Sequence, residues 1–296
     1  MILTIFPTKR LVLLLAVVFS GLLGLARKSE TERLFAEAAR AEEADDYEGA
    51  ARRLRELVIG HPESPFAAKA QLQLAQIHLL RTRDIPAAHA ALVELLDDYP
   101  ESPVALPAHR LIARLYEREM QDPQRALPHY RAVLDGEADV DVRRDTLMSL
   151  GECHYRLEQL EEATAAYRKA AALPYDSSSD AAYLRVSTLS RLSGDHQAAL
   201  RWLEELSKRT TDPTRRYTAL LGQVETLMTL ERFDDARDRL EAAAHLAPDA
   251  PENDVLLARL DSAEAGPLAM EEQSENPKSL EQRIHWGSGR GPRRDH

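Results

Sequence analysis

At 296 residues the chain is long enough for one large domain or an extended stack of repeats. Hydrophobic residues make up 44% but aromatics only 5%, so the core must be filled by Leu, Ala and Val, and only 12 glycines favour helix throughout. A formal net charge of −11 excludes a general nucleic-acid binder, and the single cysteine, Cys153, excludes an internal disulfide and a cysteine-based zinc site.

Near the N-terminus, Lys9-Arg10 precedes an uncharged run from Leu11 to Ala26, and Arg27-Lys28 follows. The run is shorter than the about 20 residues that span a bilayer. It suits the apolar part of a secretory signal, with Gly24-Leu25-Ala26 offering small residues where cleavage would fall. Arg27-Lys28 would put positive charge at the start of a cleaved chain, which favours an uncleaved signal-anchor over 1–28. A cleaved signal that releases a periplasmic chain is the alternative. No cysteine follows the run, so a lipid-acceptor cysteine is excluded. The expected location is the cell envelope, held to the inner membrane through Leu11 to Ala26.

Beyond Thr31 the chain repeats itself. Pro62-Glu63-Ser64-Pro65 and Pro100-Glu101-Ser102-Pro103 lie 38 residues apart, and each opens a helical apolar pattern. Ala50, Ala88, Ala126, Ala163, Ala199 and Ala236 follow one another at 38, 38, 37, 36 and 37 residues. Four residues after each stands Leu54, Leu92, Tyr130, Tyr167, Leu203 or Leu240, and three further Leu57, Leu95, Val133, Ala170, Leu206 or Ala243. Spacing of i, i+4, i+7 puts each set on one helix face. Upstream lies a partner helix, marked by Leu74-Ala75, Ile112-Ala113 and Leu150-Gly151, with turn-like segments such as Asp45-Asp46 and Ser193-Gly194-Asp195 between. Pro62, Pro100, Pro174, Pro213 and Pro248 stand between the pairs, where they end or begin a helix without breaking one.

Leu150-Gly151 followed by Glu161-Glu162-Ala163, Tyr167, Ala170 and Pro174 resembles the tetratricopeptide repeat family. The paired Pro-Glu-Ser-Pro units are similar to the variants in bacterial envelope proteins of the Tol-Pal-associated cell-division coordinator and β-barrel assembly lipoprotein types. The resemblance implies an all-α, right-handed solenoid of about six helical hairpins over 29–265, with a capping helix near Glu252 to Glu264. From 266 to 296 a disordered basic tail is expected: Gly266-Pro267 should break the helix, and the end is Gly- and Arg-rich. A docking motif around Ile284 and Trp286 is the alternative reading of that tail.

Tests for chemistry fail one after another. None of the ten histidines forms a zinc-protease pair, and His78 and His154 fall at interhelical contact positions. Cys153 and His154 are adjacent, hence about 100° apart on a helix, which is not a nucleophile–base arrangement. Gly287-Ser288-Gly289-Arg290-Gly291 mimics a phosphate loop without the strand and helix such a loop requires. No enzyme, cofactor, metal, small-molecule substrate or nucleic acid is expected.

What remains is a concave groove, lined by the first helix of each hairpin, that would take a protein or peptide. The register places Leu72, Gln76 and Leu79 there, then Arg110 and Arg114, then Met148, Glu152 and Tyr155. Arg110 and Arg114, one turn apart, would clamp a carboxylate or form a charged face paired with Glu117. The function this implies is a non-enzymatic scaffold for protein–protein interaction in the envelope, or a fixed subunit of an outer-membrane assembly or secretion machine.

Overall fold

The computed structural model describes residues 30–136 and 139–275, with side chains described as far as 265. The apolar run Leu11 to Ala26 and the motif around Ile284 and Trp286 lie outside the described residues. Among the described residues there is no strand, and no helix is long and apolar enough to cross a membrane.

Among the described residues thirteen α-helices follow in order. The first, α1, is helical over 30–43. Then come α2 (Tyr47–Gly60), α3 (Ala67–Ile77), α4 (Ile85–Asp98), α5 (Ala105–Arg114), α6 (Pro123–Asp135) and α7 (Val140–Arg156). After them come α8 (Leu160–Ala171), α9 (Asp180–Leu192), α10 (His196–Arg209), α11 (Pro213–Thr229), α12 (Phe233–Leu246) and α13 (Pro251–Glu275). The chain divides between Gln159 and Leu160 into two compact units. In each unit, helices adjacent in sequence pack on one another.

The repeat register is the core. All six register alanines are fully buried, and their twelve followers are at most 6% exposed. A methyl at the first position lets two helices approach closely, and the larger side chains fill the next layer. Truncating one of the buried leucines to Ala would cost about 2–5 kcal/mol, depending on how far the cavity collapses.

Five residues before each register alanine the backbone turns left-handed. Asp45, Arg83, Gln121, Glu158, Gly194 and Glu231 have φ between 55° and 80°, and only one of them is glycine. This single αL residue reverses the chain between the two helices of a pair. The next residue is the N-cap of the second helix. Asp46, Asp84, Asp122 and Asp195 each accept a hydrogen bond there from the N–H three residues on. Gln159 and Arg232 hold the same position in the remaining pairs.

The Pro-Glu-Ser-Pro segments fold alike. Ser64 N–H donates to the His61 carbonyl at 2.9 Å and Ser102 N–H to that of Tyr99 at 3.1 Å. The serine hydroxyls accept from Phe66 and Val104 N–H, which open α3 and α5 with nearly the same backbone angles.

These two repeats also carry one residue more than the rest between their helices, and the structure absorbs it in a wide π-helical turn. The turns are His78–Thr82 after α3 and Leu115–Glu119 after α5. Asp84 and Asp122 N–H reach back six residues, to His78 and Tyr116, whereas Asp46 and Arg232 reach back five, to Ala41 and Leu227.

One boundary differs from the sequence expectation. The helix does not stop at Gly266-Pro267: α13 continues to Glu275. A residue before proline normally resists the α conformation because its Cβ meets the proline ring, but glycine has no Cβ. The Leu-Ala-Met-Glu-Glu stretch that follows is built of strong helix formers.

Candidate peptide-binding groove

In the second unit, α9, α11 and α13 lie side by side and enclose a groove of about 520 Å³. α9 contributes Leu184, Ser187, Thr188 and Arg191, and α11 contributes Thr218, Leu221, Gly222 and Glu225. α13 closes it with Glu252, Val255, Leu256 and Arg259. The spacing on each helix is i, i+3/i+4, i+7, so one face of each looks into the groove. Leu203 of α10 reaches the floor between them. A Cβ on Gly222 would come within 3.1 Å of the Leu203 methyls, so the glycine lets α11 settle on α10.

The groove mixes aliphatic and hydroxyl side chains along its length and carries an ion-pair cluster across one end. Val255 is 57% exposed, a large aliphatic surface for a helical face. Arg191 donates to one oxygen of Glu225, and the Arg259 guanidinium lies 3.7 Å from the other. One carboxylate thus ties three successive groove helices. All three groups are more than 30% exposed, so solvent screens the pairing and leaves it open to competition from an incoming charge.

The residues singled out from sequence all lie in the first unit. Leu72 and Leu79 are buried, at 8% and 7%, and leave a partner little surface. Gln76 is exposed, Tyr155 is 42% exposed, and Met148 and Glu152 are half-buried on α7. Arg110 and Arg114 are half-buried on α5, and neither makes an ion pair among the described residues. Glu117 is not their partner, which corrects the paired-face expectation: it is buried in the wide turn after α5 and accepts the Tyr130 hydroxyl. Burial turns the carboxylate inward, away from Arg114 one turn earlier and Arg110 two turns earlier.

Of the two histidines expected at interhelical contacts, His154 is buried and His78 is half-buried. Cys153 is fully buried, and desolvation, then the Glu117 charge, pushes its thiol up to about 12. His154 is 5% exposed, with Nδ1 2.6 Å from Gln159 Oε1. A histidine cluster that no motif announces sits between α4, α5 and α6. His109 and His129 Nδ1 atoms are 2.9 Å apart, and His89 Nε2 is 2.7 Å from the Tyr116 hydroxyl, whose ring stacks on His129. No group of three potential metal ligands occurs among the described residues.

The second-unit groove was within reach of the same register. Counting 15, 11 and 8 residues back from Ala163 gives Met148, Glu152 and Tyr155. The same count from Ala199 gives Leu184, Thr188 and Arg191, and from Ala236 Leu221, Glu225 and Met228.

Paired helices, an αL residue before each second helix, a small-large-large register and a groove lined by alternate helices define a helical-repeat protein of the tetratricopeptide type. Residues 113–182 match the tetratricopeptide repeat family, and residues 27–125 match the family described as outer membrane lipoprotein, YfiO. No curated protein matches the chain. Among solved structures, the C-terminal part of a TPR repeat-containing protein from Cytophaga hutchinsonii is 13% identical with a TM-score of 0.56, covering 76% of this chain and 84% of its own. YrrB, a TPR protein with an unusual peptide-binding site, is 18% identical with a TM-score of 0.53, covering 72% of this chain and 100% of its own. PilF of Pseudomonas aeruginosa is 14% identical with a TM-score of 0.50, covering 79% and 99%. At these identities the likeness is one of fold. The chain carries tetratricopeptide repeats and resembles envelope proteins built from them.

Proposed function

We propose that the protein is a non-enzymatic scaffold of the bacterial cell envelope, and that it captures an extended or helical segment of a partner protein in the groove of α9, α11 and α13. The observation that carries this reading is the groove's make-up: exposed Val255 and half-buried Leu221 beside Glu225, with Arg191 and Arg259 on its two oxygens. The aliphatic floor would bury a partner's apolar side chains. A carboxylate on the partner would exchange with Glu225 for the arginines and fix the register. Attachment through Leu11 to Ala26, as anchor or as signal, belongs to the same reading. The match of 27–125 to an outer-membrane lipoprotein family supports the envelope placement.

Replacing Leu221 and Val255 together by Arg tests it. The partner recovered with the unmutated protein from crosslinked envelopes should be lost while helical content is unchanged. Full retention would refute the groove. The same lipoprotein match favours a second reading, a fixed subunit of an outer-membrane assembly machine docked through the first unit. That reading requires an obligate complex that survives high salt and is indifferent to Leu221 and Val255.

A further inference from the structure

The side of α10 turned away from the groove carries a second site. Ala198, Arg201, Trp202, Glu205 and Arg209 follow one another at helical spacing, and Leu203, on the groove floor, projects about 200° from Arg201. With Arg168 and Ala171 of α8, and Ala172 just after it, they bound a pocket of about 700 Å³.

Its floor is small and flat. Three alanines leave the depth open, and Trp202, half-buried, forms a wall. The indole is held from behind: Tyr183 meets it edge-on at 5.4 Å, and Tyr175 meets Tyr183 edge-on at 6.0 Å. Arg209 lies over the Tyr175 ring and donates to Glu205 at 2.5 Å, so its charge is already answered. Arg168 and Arg201 are different. Both are exposed, and neither guanidinium makes an ion pair or hydrogen bond among the described residues. Two unanswered guanidinium groups thus stand beside an aromatic wall and give the pocket mouth a local positive charge.

We propose that this outer pocket binds an acidic peptide segment: one apolar, preferably aromatic, side chain seated on the alanines against Trp202, with flanking carboxylates on Arg168 and Arg201. The charge balance selects the occupant. The chain's own C-terminal aromatic, Trp286, stands among Arg283, Arg290, Arg293 and Arg294, which the pocket would repel, so the ligand is another protein's segment. The site is separate from the groove and stands whether or not the groove has a ligand.

The test uses the full-length protein with Trp286→Phe, which leaves Trp202 as the sole tryptophan reporter. The probe is a capped pentapeptide with a central phenylalanine between two aspartates, compared with its isosteric asparagine analogue. Expected is a saturable change in Trp202 emission with the aspartate peptide, and binding roughly tenfold weaker or worse for the asparagine peptide. The same loss is expected for the variant carrying Arg168→Glu and Arg201→Glu. The response should persist in the variant with Leu221→Arg and Val255→Arg. No saturable change up to millimolar peptide, equal response to both peptides, or loss in the groove variant would each overturn the proposal. The two-peptide comparison needs no mutation at the site, so it decides even if the glutamate variant folds poorly.

Discussion

The hydroxyl of Tyr99 donates to the backbone carbonyl of Pro62 at 3.1 Å and so ties one Pro-Glu-Ser-Pro turn to the turn one repeat earlier. His61, one repeat before Tyr99, reaches back in the same way and lies 3.6 Å from Glu30. At Tyr99 and His61 the residue that ends a second helix therefore reaches back to the preceding pair of helices. Stacked repeats rest on such nearest-neighbour contacts.

Replacing Tyr99 by Phe keeps the ring and removes the tie. The bond is exposed, so its loss should lower stability by about 0.5 kcal/mol, the low end for a hydrogen bond, read as a lower urea midpoint at unchanged slope. An unchanged midpoint would show that water replaces the hydroxyl at no cost.

The left-handed turns make a prediction with a sign. Gly194 has φ of 80° with open space around the position of a Cβ, so Gly194→Ala is penalised by backbone conformation and not by a clash. The expected loss is about 1 kcal/mol. Glu231→Gly, at φ of 57°, relieves the same strain at the cost of a floppier unfolded chain and should be near neutral or stabilising.

The histidine cluster predicts a pH dependence. Facing His129 are His109 from α5 and His89 from α4, with Tyr116 stacked on its ring and Arg125 of α6 over Tyr116. Burial, then the two neighbouring histidines, holds the His129 pKa down to about 4. Below its ordinary value near 6.5 the unfolded chain takes up a proton that the folded chain refuses. Stability should therefore fall as pH drops from about 6.5 towards 4, and His129→Gln should flatten that limb. Equal pH curves for the two proteins would exclude His129 as the source.

Arg110 and Arg114 remain available as a pair because Glu117 turned inward. Replacing both by Ala should leave folding within about 0.5 kcal/mol, since neither makes an ion pair among the described residues. If they clamp a partner carboxylate, affinity for that partner should fall roughly tenfold or more. Unchanged affinity would confine recognition to the second unit.

Much of this architecture is legible in the sequence because burial in a helical hairpin leaves a periodic trace. Ala50 through Ala236 mark each second helix, and small positions such as Ala75, Ala113 and Gly151 mark its partner. The extra residue in the second and third repeats shows only as a longer spacing, and its absorption in π-helical turns depends on hydrogen bonds that have no sequence signature. Glu117 was misread for a related reason: helical spacing places it beside Arg114, but the wide turn rotates it into the core. The members of the His89–His109–His129 cluster join three helices at intervals of 20 residues, a spacing that matches neither the helical turn nor the 36–38-residue repeat of the register. The groove residues on α9 and α11 do share the register, and continuing the count past the fourth repeat finds them.

The central claim, that the groove of α9, α11 and α13 is the partner-binding surface, is tested most directly by site-specific photo-crosslinking in intact envelopes. A photoreactive amino acid would be placed in turn at Thr188, Leu221 and Val255 in the groove, and at Arg239 and Leu246 on α12 outside it. A discrete protein adduct from the groove positions, absent from the α12 positions and lost on Glu225→Lys, is the predicted result. Adducts from α12 alone, or none from the groove, would contradict the account.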